Sequence, residues 1–303
     1  MDETVTLTNQ SDQGEKLTAT FSPGKGMNLV SYKLNNIEVI SQSTLNLFNE
    51  RAAGLGALIG PHFHTSPNPV TNFDLDLFPH IKKGFSQGRL DPFSHGIARY
   101  VPWKHKHSST QISANLHGSD LYKNVALKRL EGQDFTMHFE ARLLPSGLFI
   151  KYSIESEKPS VIGLHYYYAL NQPGNQPGML KIHTEPLFSQ KGKNLNFDAH
   201  QRVKSLLSLP LDEALDIGLF PIKENKNIHD YTAHLITSDY DLHLHYTPHF
   251  EHQTSVQVYM DKKKNFVCIE PLSAKNPLQP LLTRSVLEVK LEIFPSTLKK
   301  IKL

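Results

Sequence analysis

A single cysteine, Cys268, occurs in 303 residues, so no intrachain disulfide can form. That scarcity points to a reducing compartment. Long apolar runs are missing as well. Nothing approaches the roughly 20 residues a membrane-spanning helix needs, and Met1-Asp2-Glu3-Thr4 lacks a basic segment followed by an apolar one. The expectation is a cytoplasmic protein with no membrane partner. Charge of one sign is also lacking: Lys and Arg total 32, Asp and Glu 29, and the net +3 is spread along the chain. No basic face is available for nucleic acid. There is no Gly-rich loop ending in Lys-Ser/Thr, no dinucleotide fingerprint, no serine elbow and no cysteine pair for zinc. Those absences set aside the commonest nucleotide, hydrolase and zinc chemistries. Alternation of strands with helices is absent, and so is any internal repeat.

What the chain has is period-two alternation and histidine. Phe135, Met137, Phe139, Ala141 and Leu143 alternate with Thr136, His138, Glu140 and Arg142. After Pro145-Ser146-Gly147, Leu148, Ile150, Tyr152 and Ile154 form the returning strand of a hairpin. Shorter alternating runs at Val5–Asn9, Lys16–Phe21 and Met27–Leu34 are separated by Asp12-Gln13-Gly14 and other turn residues. Further runs cover Ala233–Ser238, Leu242–Tyr246, Ser255–Tyr259, Asn265–Ile269 and Val286–Phe294. One helix is expected at Leu211–Leu219 and a short turn near Ser43–Glu50, while Ala52–Phe93 reads as long loops. The fold class is all-β, a large antiparallel β-sandwich in one domain spanning 1–303.

Chemistry must come from the 17 histidines, the carboxylates and the arginines. Val267-Cys268-Ile269-Glu270-Pro271 is a short strand-like run ended by proline. Cys268 and Glu270 share one face, and Val267 and Ile269 the other. A carboxylate there is either an ordinary rim group or a base tuned by its surroundings. Cys268 reads as a small buried hydrophobe rather than a nucleophile. His165, within Gly163-Leu164-His165-Tyr166-Tyr167-Tyr168, is one imidazole in an aromatic strand. Ser94-His95-Gly96-Ile97-Ala98-Arg99, with Trp103 beyond, offers a glycine for close backbone approach and an arginine for hydroxyls or anions. His229-Asp230 is a loop acid beside a histidine. The runs His62-Phe63-His64 and His243-Leu244-His245 each aim two imidazoles to one side, as a metal site would need, with Asp241 beside the second. No metal or organic cofactor is expected from these runs alone.

Taken in order, these pieces resemble the aldose 1-epimerase (galactose mutarotase) family. The likeness is carried by Ser94 to Arg99 with Trp103, by Gly163 to Tyr167, by His229-Asp230, by Cys268 to Pro271, and by the early Gly26-Met27-Asn28-Leu29. It implies a galactose mutarotase-like supersandwich that interconverts the α and β anomers of a sugar without a cofactor. By position it implies Glu270 as catalytic base and His165 as catalytic acid, working as carboxylate and imidazolium. His95, Arg99 and Asp230 would bind the sugar. The Arg99 form of the motif is similar to the hexose-6-phosphate branch, where Arg89 and Lys82-Lys83 would be further phosphate contacts. Three departures stand out. Tyr166-Tyr167-Tyr168 replaces the family's Pro-Tyr-Phe, Ile97 replaces an aromatic, and Arg51 is off register for the family's upstream arginine. The alternatives are a non-catalytic carbohydrate-binding protein on the same fold, or a metal-dependent hydrolase using the His-x-His runs.

Overall fold

The computed structural model describes residues 3–66, 74, 76, 78–86, 93–170, 177–190, 193–197, 202–224, 229–261 and 265–296. The chain opens on hairpins. β1 (Val5–Gln10) pairs with β2 (Lys16–Ser22), and β3 (Asn28–Leu34) pairs with β4 (Ile37–Glu38). Asn35 between them takes φ 52°, a conformation asparagine tolerates. The expected turn near Ser43 is a 3-10 turn running into helix α1 (Leu45–Arg51), which Ala52 ends in the left-handed region. Next come β5 (Gly56–Ile59), helix α2 (Pro79–Ser86), β6 (Lys104–His107) and β7 (Gln111–His117). A small ribbon of β8 (Leu121–Tyr122) and β9 (Val125–Ala126) leads into helix α3 (Leu127–Glu131). β10 (Phe135–Leu144) and β11 (Gly147–Ser156) are the hairpin read from alternation, with Phe139 opposite Tyr152 and both buried.

The remaining strands are β12 (Gly163–Ala169), β13 (Gly178–Gln190), β14 (Lys193–Asn196), β15 (Arg202–Val203) and β16 (Leu206–Leu211). They are followed by β17 (Leu215–Pro221), β18 (Tyr231–Ile236), β19 (Tyr240–Pro248), β20 (Ser255–Met260), β21 (Phe266–Leu272) and β22 (Arg284–Pro295). The helix expected at Leu211–Leu219 is therefore a strand end, a turn and a strand. Ile217 and Leu219 alternate into the core while Asp216 points away, and β17 gains a ladder with β20 that an isolated helix of this length could not match.

Among the described residues all pairings are antiparallel and, apart from the β8–β9 ribbon, fall into two sheets. The first runs β1-β2-β3-β5-β12-β21-β20-β17-β13-β14, with β4 also on β3. The second runs β6-β7-β10-β11-β22-β19-β18-β13-β16-β15. β13 belongs to both. Its first half pairs with β16 and β18, and beyond a register shift between Thr184 and Phe188 its second half pairs with β17 and β14. The core lies between the sheets. Tyr32 ties them: its hydroxyl donates to the Leu291 carbonyl of β22 and accepts from the Leu148 N–H of β11. This is the all-β antiparallel sandwich expected from the alternation. Among the described residues, no helix is long and apolar enough to cross a membrane.

Candidate active site

β12 and β21 sit side by side in the middle of the first sheet, and every residue of both is buried. Alternation sends Val267 and Ile269 into the main core and leaves Cys268 and Glu270 on the opposite face. Pro271 does not end the strand, which continues to Leu272. The ladder skips the stretch beside it, pairing Gly163 with Leu272 and then Tyr166 with Ile269, as a residue without an N–H requires. His165 lies in that stretch. Its Nε2 is 3.3 Å from Glu270 Oε1, and its Nδ1 is 3.2 Å from Cys268 Sγ. The other Glu270 oxygen, Oε2, is buried without a hydrogen-bond partner.

The same face extends across two more strands. Gln257 of β20 stands opposite Glu270 and Tyr259 opposite Cys268, and β17 then places Gly218 opposite Gln257 and Asp216 opposite Tyr259. A Cβ on Gly218 would sit 2.6 Å from Gln257 Nε2, so the glycine leaves room for that amide.

Over His165 lies the loop that carries His95. The two rings meet edge to face, 4.9 Å between centroids, with Tyr167 5.0 Å away on the same strand. The loop is locked against the stretch after β5. Gly60 N–H donates to the His95 carbonyl at 2.9 Å, His95 N–H to the His64 carbonyl at 3.1 Å, and Ala98 N–H to the Gly60 carbonyl at 3.1 Å. Gly96 has φ 85°, and a Cβ there would lie 1.9 Å from the Gly60 oxygen, so only glycine fits. His95 is not glycine yet holds φ 66°, a strained conformation that the surrounding bonds enforce. The His64 N–H reaches His95 Nδ1 at 3.3 Å. A backbone N–H can only donate, so the neutral imidazole carries its proton on Nε2. Trp103 braces the loop, Nε1 donating to the Ala98 carbonyl at 2.9 Å.

Burial decides the charges. Desolvation, assisted by Arg99 and Arg51, pulls His165 from 6.5 down to about 3, although a bond to its own backbone opposes the shift. Desolvation pushes Glu270 from 4.5 up to about 8, against the Cys268 hydrogen bond and the Arg99 charge, with Asp216 adding to the rise. His95 falls well below its ordinary value through burial, then Arg99 and His165. Burial, then Glu270, holds the Cys268 thiol well above its ordinary value. The carboxylate–imidazolium pair expected from the resemblance is thus not the favoured resting form. Loss of hydration is the largest cause of the shift for both partners. From about pH 3 to about pH 8 the pair holds one proton and no net charge.

Arg99 is 5% exposed, and its Nε has no hydrogen-bond partner. Its Nη2 donates to the Tyr100 hydroxyl at 2.8 Å, which donates in turn to the Ser94 carbonyl. Among the described residues no carboxylate lies within ion-pair distance of it. The Arg51 charge, at the exposed end of α1, also reaches His165 and Tyr167.

Of the residues singled out from sequence, Glu270, His165, His95 and Arg99 come together. Asp230 does not: it precedes β18 in the second sheet and accepts from Thr247 Oγ1 at 2.5 Å. The acid on the Glu270 face is Asp216. It was missed because its segment read as helix, and Gln257 and Tyr259 because cross-strand register is not written in a strand's own alternation. Lys82, exposed on α2, pairs with exposed Asp76 at 2.6 Å, and Arg89 lies outside the described residues. The His-x-His runs do other work. His62 pairs with Glu131, His243 stacks on His234 with centroids 4.1 Å apart, and His245 pairs with Glu292 at 2.9 Å. Among the described residues, the donor group compact enough for a metal is His165, Cys268 and Glu270, with ligand atoms within 4.8 Å of one another.

No protein-family model and no curated protein sequence matches this chain. Solved structures do. A galactose mutarotase-like protein from Lactobacillus casei aligns over 96% of this chain and 100% of its own at 16% identity, TM-score 0.67. A galactose mutarotase-like protein from Clostridium acetobutylicum aligns over 97% and 100% at 11% identity, TM-score 0.66. An aldose epimerase homologue from C. elegans aligns over 97% and 100% at 16% identity, TM-score 0.65. The chain therefore has the galactose mutarotase-like fold over nearly its whole length.

Proposed function

We propose that the protein is an aldose 1-epimerase, with a hexose or hexose phosphate as substrate. The observation that carries this is the buried Glu270–His165 contact, 3.3 Å long and overhung by His95. Mutarotation takes a proton from the anomeric hydroxyl and gives one to the ring oxygen. The C1–O5 bond breaks, the C1–C2 bond turns, and closure on the other face reverses both transfers. A pair holding one proton and one free lone pair performs both halves. Carboxylic acid beside imidazole and carboxylate beside imidazolium differ only by a transfer along the same contact. In the assignment carried from the family resemblance, Glu270 takes the anomeric proton and His165 supplies the ring oxygen. The Nε2–H of His95 is a donor to the sugar, and Arg99 meets the phosphate of a phosphorylated one. Asp216 and Gln257 take the hydroxyl-binding place first expected for Asp230.

A phosphorylated hexose is favoured over a free one by Arg99. A buried cation without a counter-ion is costly, and an anionic substrate would supply the missing charge. The substrate is then bound where its phosphate meets Arg99, with Arg51 adding to the local field.

The test is polarimetric decay of freshly dissolved α-glucose, α-galactose and glucose 6-phosphate. Wild type should accelerate at least one, and Glu270→Gln and His165→Asn should each lose about 10²–10⁴-fold. Equal decay with wild type, with both variants and without protein on every sugar would remove the enzymatic reading. Sugar binding without acceleration would favour the non-catalytic alternative.

A further inference from the structure

We propose that Glu131 is a positioning residue that holds His95 over His165. This rests on the epimerase reading for its kinetic consequence, though not for its geometry. Glu131 is the last residue of α3 and is 2% exposed. A carboxylate at a helix C-terminus meets the unfavourable end of the dipole, and burying it costs more still unless it is hydrogen-bonded. Both of its oxygens are used. Oε1 is 2.6 Å from His62 Nδ1, and Oε2 accepts the Ile97 N–H at 3.0 Å. A carboxylate only accepts, so His62 carries its proton on Nδ1.

The two partners sit on the two backbone stretches that knit the His95 loop. His62 follows Pro61 on the stretch that bonds His95 and Ala98 through Gly60, and Ile97 directly follows Gly96. Glu131 therefore clasps both stretches. His95, at φ 66°, needs such over-determination to keep its ring 4.9 Å from His165. Glutamine at 131 would offer its carbonyl to one donor and turn its NH₂ group against the other. The loop would then relax, and a misplacement of about 1 Å is enough to cost about 10²-fold.

The experiment is a double-mutant cycle. Glu131→Gln should lower kcat/KM about 10²-fold in the wild-type background. In a His95→Ala background it should change kcat/KM by no more than about twofold, because the group it positions is gone. Equal losses in both backgrounds, or no loss in either, would overturn the proposal. If Glu131→Gln does not fold, His62→Asn and His62→Leu replace it. Asn keeps a donor near the Nδ1 position and should retain activity, while Leu should lose it; equal activity in the two would overturn the proposal. If wild type accelerates no sugar, the epimerase reading fails by itself. The positioning claim is then read from imidazole NMR signals. Those of His95 and His165 should move in Glu131→Gln while that of His243, stacked on His234 three strands beyond β10, stays; unmoved His95 and His165 signals would overturn it.

Discussion

Replacing Glu270 by glutamine should change how stability depends on pH, in a direction fixed by burial. In the folded protein the Glu270 carboxyl is raised from 4.5 to about 8, and His165 is lowered from 6.5 to about 3. A raised acid binds its proton more tightly folded than unfolded, so its contribution to stability is lost as pH climbs from the unfolded to the folded value. A lowered histidine acts oppositely: stability is lost as pH falls from 6.5 towards 3. Between 4.5 and 6.5 the two slopes cancel, because the folded pair keeps its proton on Glu270 and the unfolded chain keeps it on His165. Above 6.5 only the Glu270 slope remains. About 1.5 pH units at about 1.4 kcal/mol each amounts to a loss of about 2 kcal/mol by pH 8. Glu270→Gln has no such limb, so its stability should be flat over the same interval. Urea unfolding of both proteins at half-unit steps from pH 6 to 9 measures the difference, in which other titrating groups cancel. A wild-type minus variant difference that stays constant between pH 6.5 and 8 would refute a buried, protonated Glu270.

Mutarotation should fall about tenfold per pH unit above about 8, where the pair loses its single proton, and a pH–rate profile flat through pH 10 would contradict the shared-proton mechanism. Arg99→Met should raise KM for a hexose 6-phosphate by about tenfold or more while barely changing that for the free sugar, and it should not lower the thermal midpoint, since it removes a buried cation without an ion-pair partner. Gly96→Ala, with its Cβ 1.9 Å from the Gly60 oxygen, should cost more than about 3 kcal/mol and abolish activity. Gly14→Ala is the control: φ is 82° but nothing lies within 4 Å, so calorimetry should find only about 1–2 kcal/mol lost.

The strands with strict alternation, such as Phe135–Leu144 and its partner, were legible because one face of each is buried and that burial is written residue by residue. Leu211–Leu219 was not legible. Its apolar spacing fits both periods over so short a stretch, and the ladder with β20 that decides it is a long-range fact. The site divided in the same way. Glu270 and His165 could be picked out through motif order, but their proton distribution could not, since it depends on how completely the fold strips water from both. Asp230 was placed by its position in the family's motif order and beside a histidine, whereas Asp216 reaches the site face through strand register. The role of the Pro61–His64 stretch was equally hidden, because Glu131 lies 69 residues from His62.

The only cysteine of the chain lies on the floor of the site, wholly buried and with its thiol held protonated. A thiolate is the form that alkylating and disulfide reagents attack. The native molecule should thus be inert to maleimides under conditions where surface thiols react completely. A cysteine placed anywhere on the outer surface would then be the single reactive position, giving an unambiguous attachment point for a fluorophore or spin label without altering Cys268.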